Sequence, residues 1–268
     1  MEHNETLSIE SHDVVGKLRS GTLSQTGKYL ELLSTGSLNR TGDDAQTPLR
    51  PTSAPSAHTQ DANMKKFLSG FKRFQKNYFA ENTELFNTLK AGQSPKTVLV
   101  GCCDSRVDPA LITDCDPGDL FVIRNVANLV APYEPDNGKH GVSAALEYAV
   151  KILHVENIIV LGHSTCGGID ALLKGLPDDF EFIGPWVRIA ERAKEKTLKY
   201  FANSPYEVQR RACEHASILQ SLENLVTYPW INERLLKGEL NITGWYFDFG
   251  KGDLLGYNPD TLNFEPLL

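Results

Sequence analysis

The chain has 268 residues, enough for one α/β domain with a sizeable core or for two small ones. Its formal net charge of −7 leaves no basic stripe to neutralise phosphates, so no nucleic-acid partner is expected. No apolar run reaches the ~18 residues of a membrane helix, so no membrane partner is expected, and five cysteines with two adjacent at 102–103 suit a reducing, cytoplasmic compartment better than a disulfide framework.

Residues 1–63 are rich in Ser, Thr, Gly, Asn and Asp, and 48–57 is a Pro/Ser run. The segment reads as a low-complexity, disordered extension with a weak helical pattern around Tyr29, Leu30, Leu32 and Leu33. Met1 to Asp13 is polar and acidic, without the apolar stretch of a secretory leader. Glu2, Glu5, Glu10, Asp13, Glu31, Asp43 and Asp44 make it too acidic for a typical organelle transit peptide, although a targeting role stays open.

A folded domain is expected over 64–268. Phe67, Phe71, Phe74 and Tyr78 fall at helical spacing among Lys65, Lys66, Lys72, Arg73 and Lys76, which predicts an amphipathic helix. A second helix is expected over 81–90. The apolar run 97–101 then reads as a buried parallel strand, as do 121–124 and 157–161. Helices are expected over 141–153 and 167–174, and a long helical stretch over 185–226 breaks near Pro205 and stops at Pro229. Residues 241–249 and 254–257 read as a closing hairpin. Alternating strands and helices predict an α/β fold with a central, mostly parallel β-sheet flanked by helices.

Two segments carry the chemistry: Gly-Cys-Cys-Asp-Ser-Arg at 101–106 and Gly-His-Ser-Thr-Cys-Gly-Gly at 162–168. Each follows an apolar strand, and ligands collect at the carboxyl ends of parallel strands. Alone, either segment would read as a buried thiol or a chance His-x-x-Cys. If the two strands are neighbours, Cys102, His163 and Cys166 converge. Two thiolates and one imidazole suit Zn²⁺, and three protein ligands leave the open position that a catalytic zinc keeps. A helix starting near Gly168 points its positive end at Cys166 and should favour the thiolate there. Asp104 follows Cys102 by two residues, and Arg106 can hold its carboxylate ionised. Freed from Arg106, Asp104 could instead fill the fourth position. Cys103 should point into the core, and Cys115 and Cys213 read as structural thiols.

These residues resemble the β-class carbonic anhydrases over about 64–257. The motifs are Cys-x-Asp-Ser-Arg at 102–106, Arg-Asn-Val-Ala-Asn at 124–128 and His-x-x-Cys-Gly-Gly at 163–168, with 221–225, 227–229 and 244–245 also similar. The resemblance implies reversible hydration of carbon dioxide to bicarbonate and a proton. It implies one Zn²⁺ on Cys102, His163 and Cys166, with the Asp104–Arg106 dyad beside it. It further implies that Gln93 bonds substrate across a dimer interface, that Phe121, Val126 and Tyr148 form an apolar cleft, and that the Gly167 N–H faces substrate. A homodimer or higher homo-oligomer, with the N-terminal helix as an arm over the partner, is implied too. Leu99 stands where members gated by non-catalytic bicarbonate have Trp, so an open site of the plant type is expected. For the proton shuttle only type suggests His140, His154 and His215. A carbon disulfide or carbonyl sulfide hydrolase would share the ligands. A non-catalytic zinc module would want a closed site, and a thiol redox protein would want a Cys-x-x-Cys pair, which is absent.

Overall fold

The computed structural model describes residues 57–268 except Asn137 and Asp178. Most of the expected extension, including the pattern at 29–33, lies outside the described residues. Helix α1 covers Ala57–Phe74, so the expected boundary at Met64 falls inside a helix. The last proline of the Pro/Ser run is Pro55, and the residues after it tolerate helix.

The described residues fall into two units divided between Gln93 and Ser94. In the first, α1 passes into a π-helical turn, Gln75–Phe79, and then α2, Thr83–Ala91. The expected aromatic stripe divides. Phe74 and Tyr78 pack edge-on against Phe86 of α2, both at 6.0 Å, whereas Phe67 and Phe71 stay exposed.

In the second unit six strands form one sheet in the order β2-β1-β3-β4-β5-β6. Strands β1 (Thr97–Cys102), β2 (Leu120–Asn125), β3 (Asn157–His163) and β4 (Asn241–Asp248) are parallel, as the alternating pattern predicts. Strands β5 (Asp253–Asn258) and β6 (Asn263–Pro266) close it antiparallel. The hairpin was legible; β6 was not. Successive side chains of a strand face opposite ways. Val98, Val100, Ile158 and Val160 therefore enter the larger core, while Leu99, Ile159 and Leu161 enter a smaller one with Val107. Burial on both faces makes these strands continuous apolar runs rather than alternating ones.

The helices of this unit are α3 (Pro109–Thr113), α4 (Gly141–Glu147, continued by a π turn over Tyr148–Ile152), α5 (Gly167–Lys174), α6 (Ile183–Val187), α7 (Glu191–Phe201), α8 (Tyr206–Val226) and α9 (Pro229–Leu236). Pro229 opens α9 instead of ending the helical region. Proline fits the first helical position, where its missing N–H is not needed. Helix α3 is capped by Asp108, whose carboxylate accepts from the Ala110 and Leu111 N–H groups at 3.1 and 3.3 Å.

The chain leaves β1 for β2 on one side and returns to β3 on the other. The carboxyl ends of β1 and β3 thus flank a topological switch point, where α/β sheets place their ligand sites.

Candidate metal centre

Cys102 ends β1, His163 ends β3, and Cys166 caps α5. Parallel pairing of β1 with β3 brings them together. One ligand atom from each lies within 4.8 Å of the others, and the two Sγ atoms are 4.0 Å apart. All three side chains are buried. The His163 Nδ1–H donates to the Ser164 carbonyl at 2.9 Å, which leaves the lone pair on Nε2. That Nε2 is buried without a hydrogen-bond partner. An orphaned imidazole nitrogen between two buried thiols is the donor set of a soft divalent metal, and zinc fits it.

The turn that carries Cys166 is pinned from several sides. The Ser164 N–H donates to the Phe247 carbonyl at 2.9 Å, and the Ser164 hydroxyl accepts from the Phe249 N–H at 2.8 Å. Thr165 takes a left-handed φ of 57°. Gly168 lets α5 approach the end of β2 closely, since a Cβ there would sit 2.7 Å from Val126 Cγ1 and 2.9 Å from Ala127 Cβ. The Cys166 N–H donates to Glu214 Oε1 at 3.0 Å.

The two thiols act as one unit. Cys102 is drawn well below the ordinary thiol range, first because Cys166 donates to its thiolate. Cys166 is correspondingly pushed up, although the N–H groups of Gly168 and Ile169 pull it down. The helix end thus acts on Cys166 in the expected direction, and the direct contact with Cys102 opposes it.

Asp104 and Arg106 form the expected dyad. Arg106 Nε donates to Oδ1 at 2.9 Å, Nη2 to Oδ2 at 2.7 Å, and the Arg106 N–H to Oδ1 at 2.9 Å. These bonds, led by the guanidinium, bring the Asp104 pKa down to about 2. Asp104 Oδ2 lies 3.9 Å from His163 Nε2, so the ionised carboxylate adjoins the ligand group. Arg106 is itself held: Nη1 donates to Thr165 Oγ1 at 3.3 Å, Nη2 to the Thr165 carbonyl at 3.1 Å, and the guanidinium lies 4.9 Å over the Phe249 ring. Phe249 also meets the His163 ring edge-on at 5.7 Å. Phe249 and Glu214 lie outside every motif, and Thr165 lies inside the 162–168 motif at a position given no role. Arg124 lies in a recognised motif without an assigned role. It donates to the carbonyls of Cys102, Asp104 and Val107 at 3.0, 2.8 and 2.7 Å and so stitches the loop after β1.

Of the other expected residues, Val126 and Gly167 adjoin the ligand turn, and a Cβ at Gly167 would meet nothing within 4 Å. Phe121 and Tyr148 stack at 5.9 Å, but Phe121 is level with Val98, at the other end of β1 from Cys102. Gln93 is exposed and belongs to the N-terminal unit. Cys103 is exposed rather than in the core, because β1 has ended at Cys102 and its in-out alternation no longer applies. Cys213 is buried and Cys115 half-buried. His215 is buried against Tyr246 and Phe264, where desolvation takes its pKa to about 3, unfit for shuttling protons to solvent.

A sheet with a Cys–His–Cys group at its switch point defines an α/β protein whose ligand crevice carries side chains that could hold a metal ion. A sequence model of the carbonic anhydrase family matches residues 97–254. The chain is 44% identical over 189 residues to β carbonic anhydrase 5, chloroplastic, of Arabidopsis thaliana, covering 70% of this chain and 61% of that protein. Against β carbonic anhydrase 3 of the same plant it is 41% identical, covering 70% and 74%. The solved β-carbonic anhydrase CcaA superposes with a TM-score of 0.73 at 36% identity, covering 76% of this chain and 99% of that one. Tetrameric β-carbonic anhydrases of Sordaria macrospora superpose at 0.66 with 26% identity, covering 73% and 96%. The chain belongs to the β-class carbonic anhydrases.

Proposed function

We propose that this chain catalyses the reversible hydration of carbon dioxide to bicarbonate and a proton, using one Zn²⁺ held by Cys102, His163 and Cys166. Zinc bound there supplies the nucleophile, since it lowers the pKa of a water from about 16 toward about 7. The chain's residues do the rest. Arg106 keeps Asp104 ionised, and Asp104 accepts a hydrogen bond from the nucleophile and turns its lone pair toward carbon. Arg106 also keeps Asp104 from competing for the metal, which supports an open site. Carbon dioxide is apolar and needs a greasy slot, for which Val126 beside the ligand turn is proposed, with Phe121 and Tyr148, which lie at the other end of β1, reaching it from a partner copy. Negative charge grows on the product oxygens, and the Gly167 N–H, with Gln93 of a partner copy across the dimer interface, is proposed to meet it.

The observation that carries this reading is the juxtaposition itself: a buried Cys–His–Cys group with an unpartnered Nε2, and an arginine-clamped carboxylate 3.9 Å away. The relatives' names include chloroplastic and mitochondrial enzymes. No helix among the described residues is long and apolar enough to cross a membrane. We place the enzyme in the cytoplasm, as a homodimer or higher homo-oligomer.

Stopped-flow hydration of carbon dioxide tests the reading. The purified, zinc-loaded chain should turn over, and Cys102→Ser, His163→Ala and Cys166→Ser should each lose zinc and activity together. Hydrolysis of carbon disulfide without carbon dioxide hydration, or full activity in any of the three variants, would overturn it.

A further inference from the structure

Glu214 is a carboxyl group in the core, 3% exposed, on the face of α8 toward the sheet. Burying a carboxyl is costly, and a core position of this size is more cheaply filled by Leu or Met. The side chain earns its place by what its two oxygens accept. Oε1 takes the Cys166 N–H at 3.0 Å, and Oε2 takes the Tyr246 hydroxyl at 2.7 Å. One carboxyl group thus ties the residue before α5 to α8 and to β4. A second tie lies beside it. The Tyr206 hydroxyl donates to Asp170 Oδ1 at 2.6 Å, and the Asp170 N–H donates to the Cys166 carbonyl at 2.9 Å. Arg210 sits between the two acids, 3.8 Å from Glu214 Oε1 and 3.9 Å from Asp170 Oδ1.

The Cys166 peptide groups are therefore held at both ends, the N–H by Glu214 and the carbonyl by the first bond of α5. Fixing both fixes the direction of the Cα–Cβ bond, and with it where Sγ points. The preceding Thr165 sits in left-handed backbone, a conformation that surrounding structure must enforce. We propose that Glu214 is a positioning residue for the metal site: its Oε1 holds the Cys166 amide and so aims the Cys166 thiolate at the ion. This rests on the zinc assignment of the proposed function. The reach of the carboxyl oxygen does this work, and its charge does not.

Three variants separate these terms. Glu214→Met removes the acceptor at similar volume. Glu214→Asp keeps the charge but shortens the reach. Glu214→Gln keeps an oxygen at the same reach without the charge. Zinc affinity is measured by chelator competition, and the cobalt-substituted proteins give the sulfur-to-cobalt charge-transfer bands, which report thiolate geometry. We expect Glu214→Met and Glu214→Asp to bind zinc about 10- to 100-fold more weakly, the usual effect of losing an outer partner of a ligand. Their cobalt bands should shift, and Glu214→Gln should match wild type in both readouts. Should Glu214→Met not fold, the contrast of Asp with Gln carries the test alone. Wild-type affinity and bands in Glu214→Asp would overturn the proposal, as would equal losses in Asp and Gln. A wild-type chain that binds no zinc would overturn the proposed function itself, a distinct result.

Discussion

Asp104 shows how much one side chain depends on its neighbours. Three hydrogen bonds from Arg106 fix it beside the ligand group, and Thr165 and Phe249 fix Arg106 in turn. The identities of Asp104 and Arg106 were legible from their spacing after Cys102. The residues that hold Arg106 were not, since they arrive from the turns after β3 and β4, about 60 and 140 positions away in the chain. Asp104→Ala should keep its zinc and lose roughly 10²-fold or more in hydration rate, the size of a positioned polar group's contribution; unchanged turnover would remove the carboxylate from the chemistry. His215 carries a different prediction. Burial, with help from Arg211, takes its pKa to about 3, below the unfolded value of about 6.5. The unfolded chain therefore binds the extra proton. Stability from this group is whole above pH 6.5 and falls as the solution is acidified toward 3. Urea melts of His215→Phe should show a flatter loss across that window than wild type, and an unchanged slope would contradict the assignment.

At the scale of elements, α8 decides how the ligand strands are held. Residues 212–222 are all buried, yet the helix contains Glu, His, Gln and Ser among its apolar residues. A sequence reader finds no clean amphipathic face there, so its extent was legible but its packing was not. The packing turns on Ile218, which lies over Gly244 of β4. A Cβ on Gly244 would sit 2.6 Å from Ile218 Cγ2. Gly244→Ala should therefore destabilise by about 1–3 kcal/mol through overpacking, and Ile218→Ala should destabilise alone but recover part of its cost in the double variant. Chemical denaturation of the four proteins measures this, and purely additive losses would mean that the two do not touch. The short elements α3 and β6 escaped the sequence for the opposite reason: five and four residues carry too little periodicity to register.

For the whole molecule, a mostly parallel sheet was legible from three apolar runs, but the strand order was not, and the convergence of Cys102, His163 and Cys166 was conditional on β1 and β3 being neighbours, which they are. Placement of Gln93 did not follow, because it belongs to the N-terminal unit while the triad belongs to the other. All three residues of the Cys–His–Cys group lie within 57–268. A chain starting at Ala57 should match the full chain in zinc content and hydration rate, and loss of either on truncation would give residues 1–56 a part in the site. The most direct measurement is X-ray absorption at the zinc edge on the zinc-loaded protein at pH 7. We predict one zinc per chain, with two sulfurs at about 2.3 Å and two nitrogen or oxygen neighbours at about 2.0–2.1 Å. A metal-free protein, a zinc without sulfur neighbours, or a shell of four sulfurs would contradict the account.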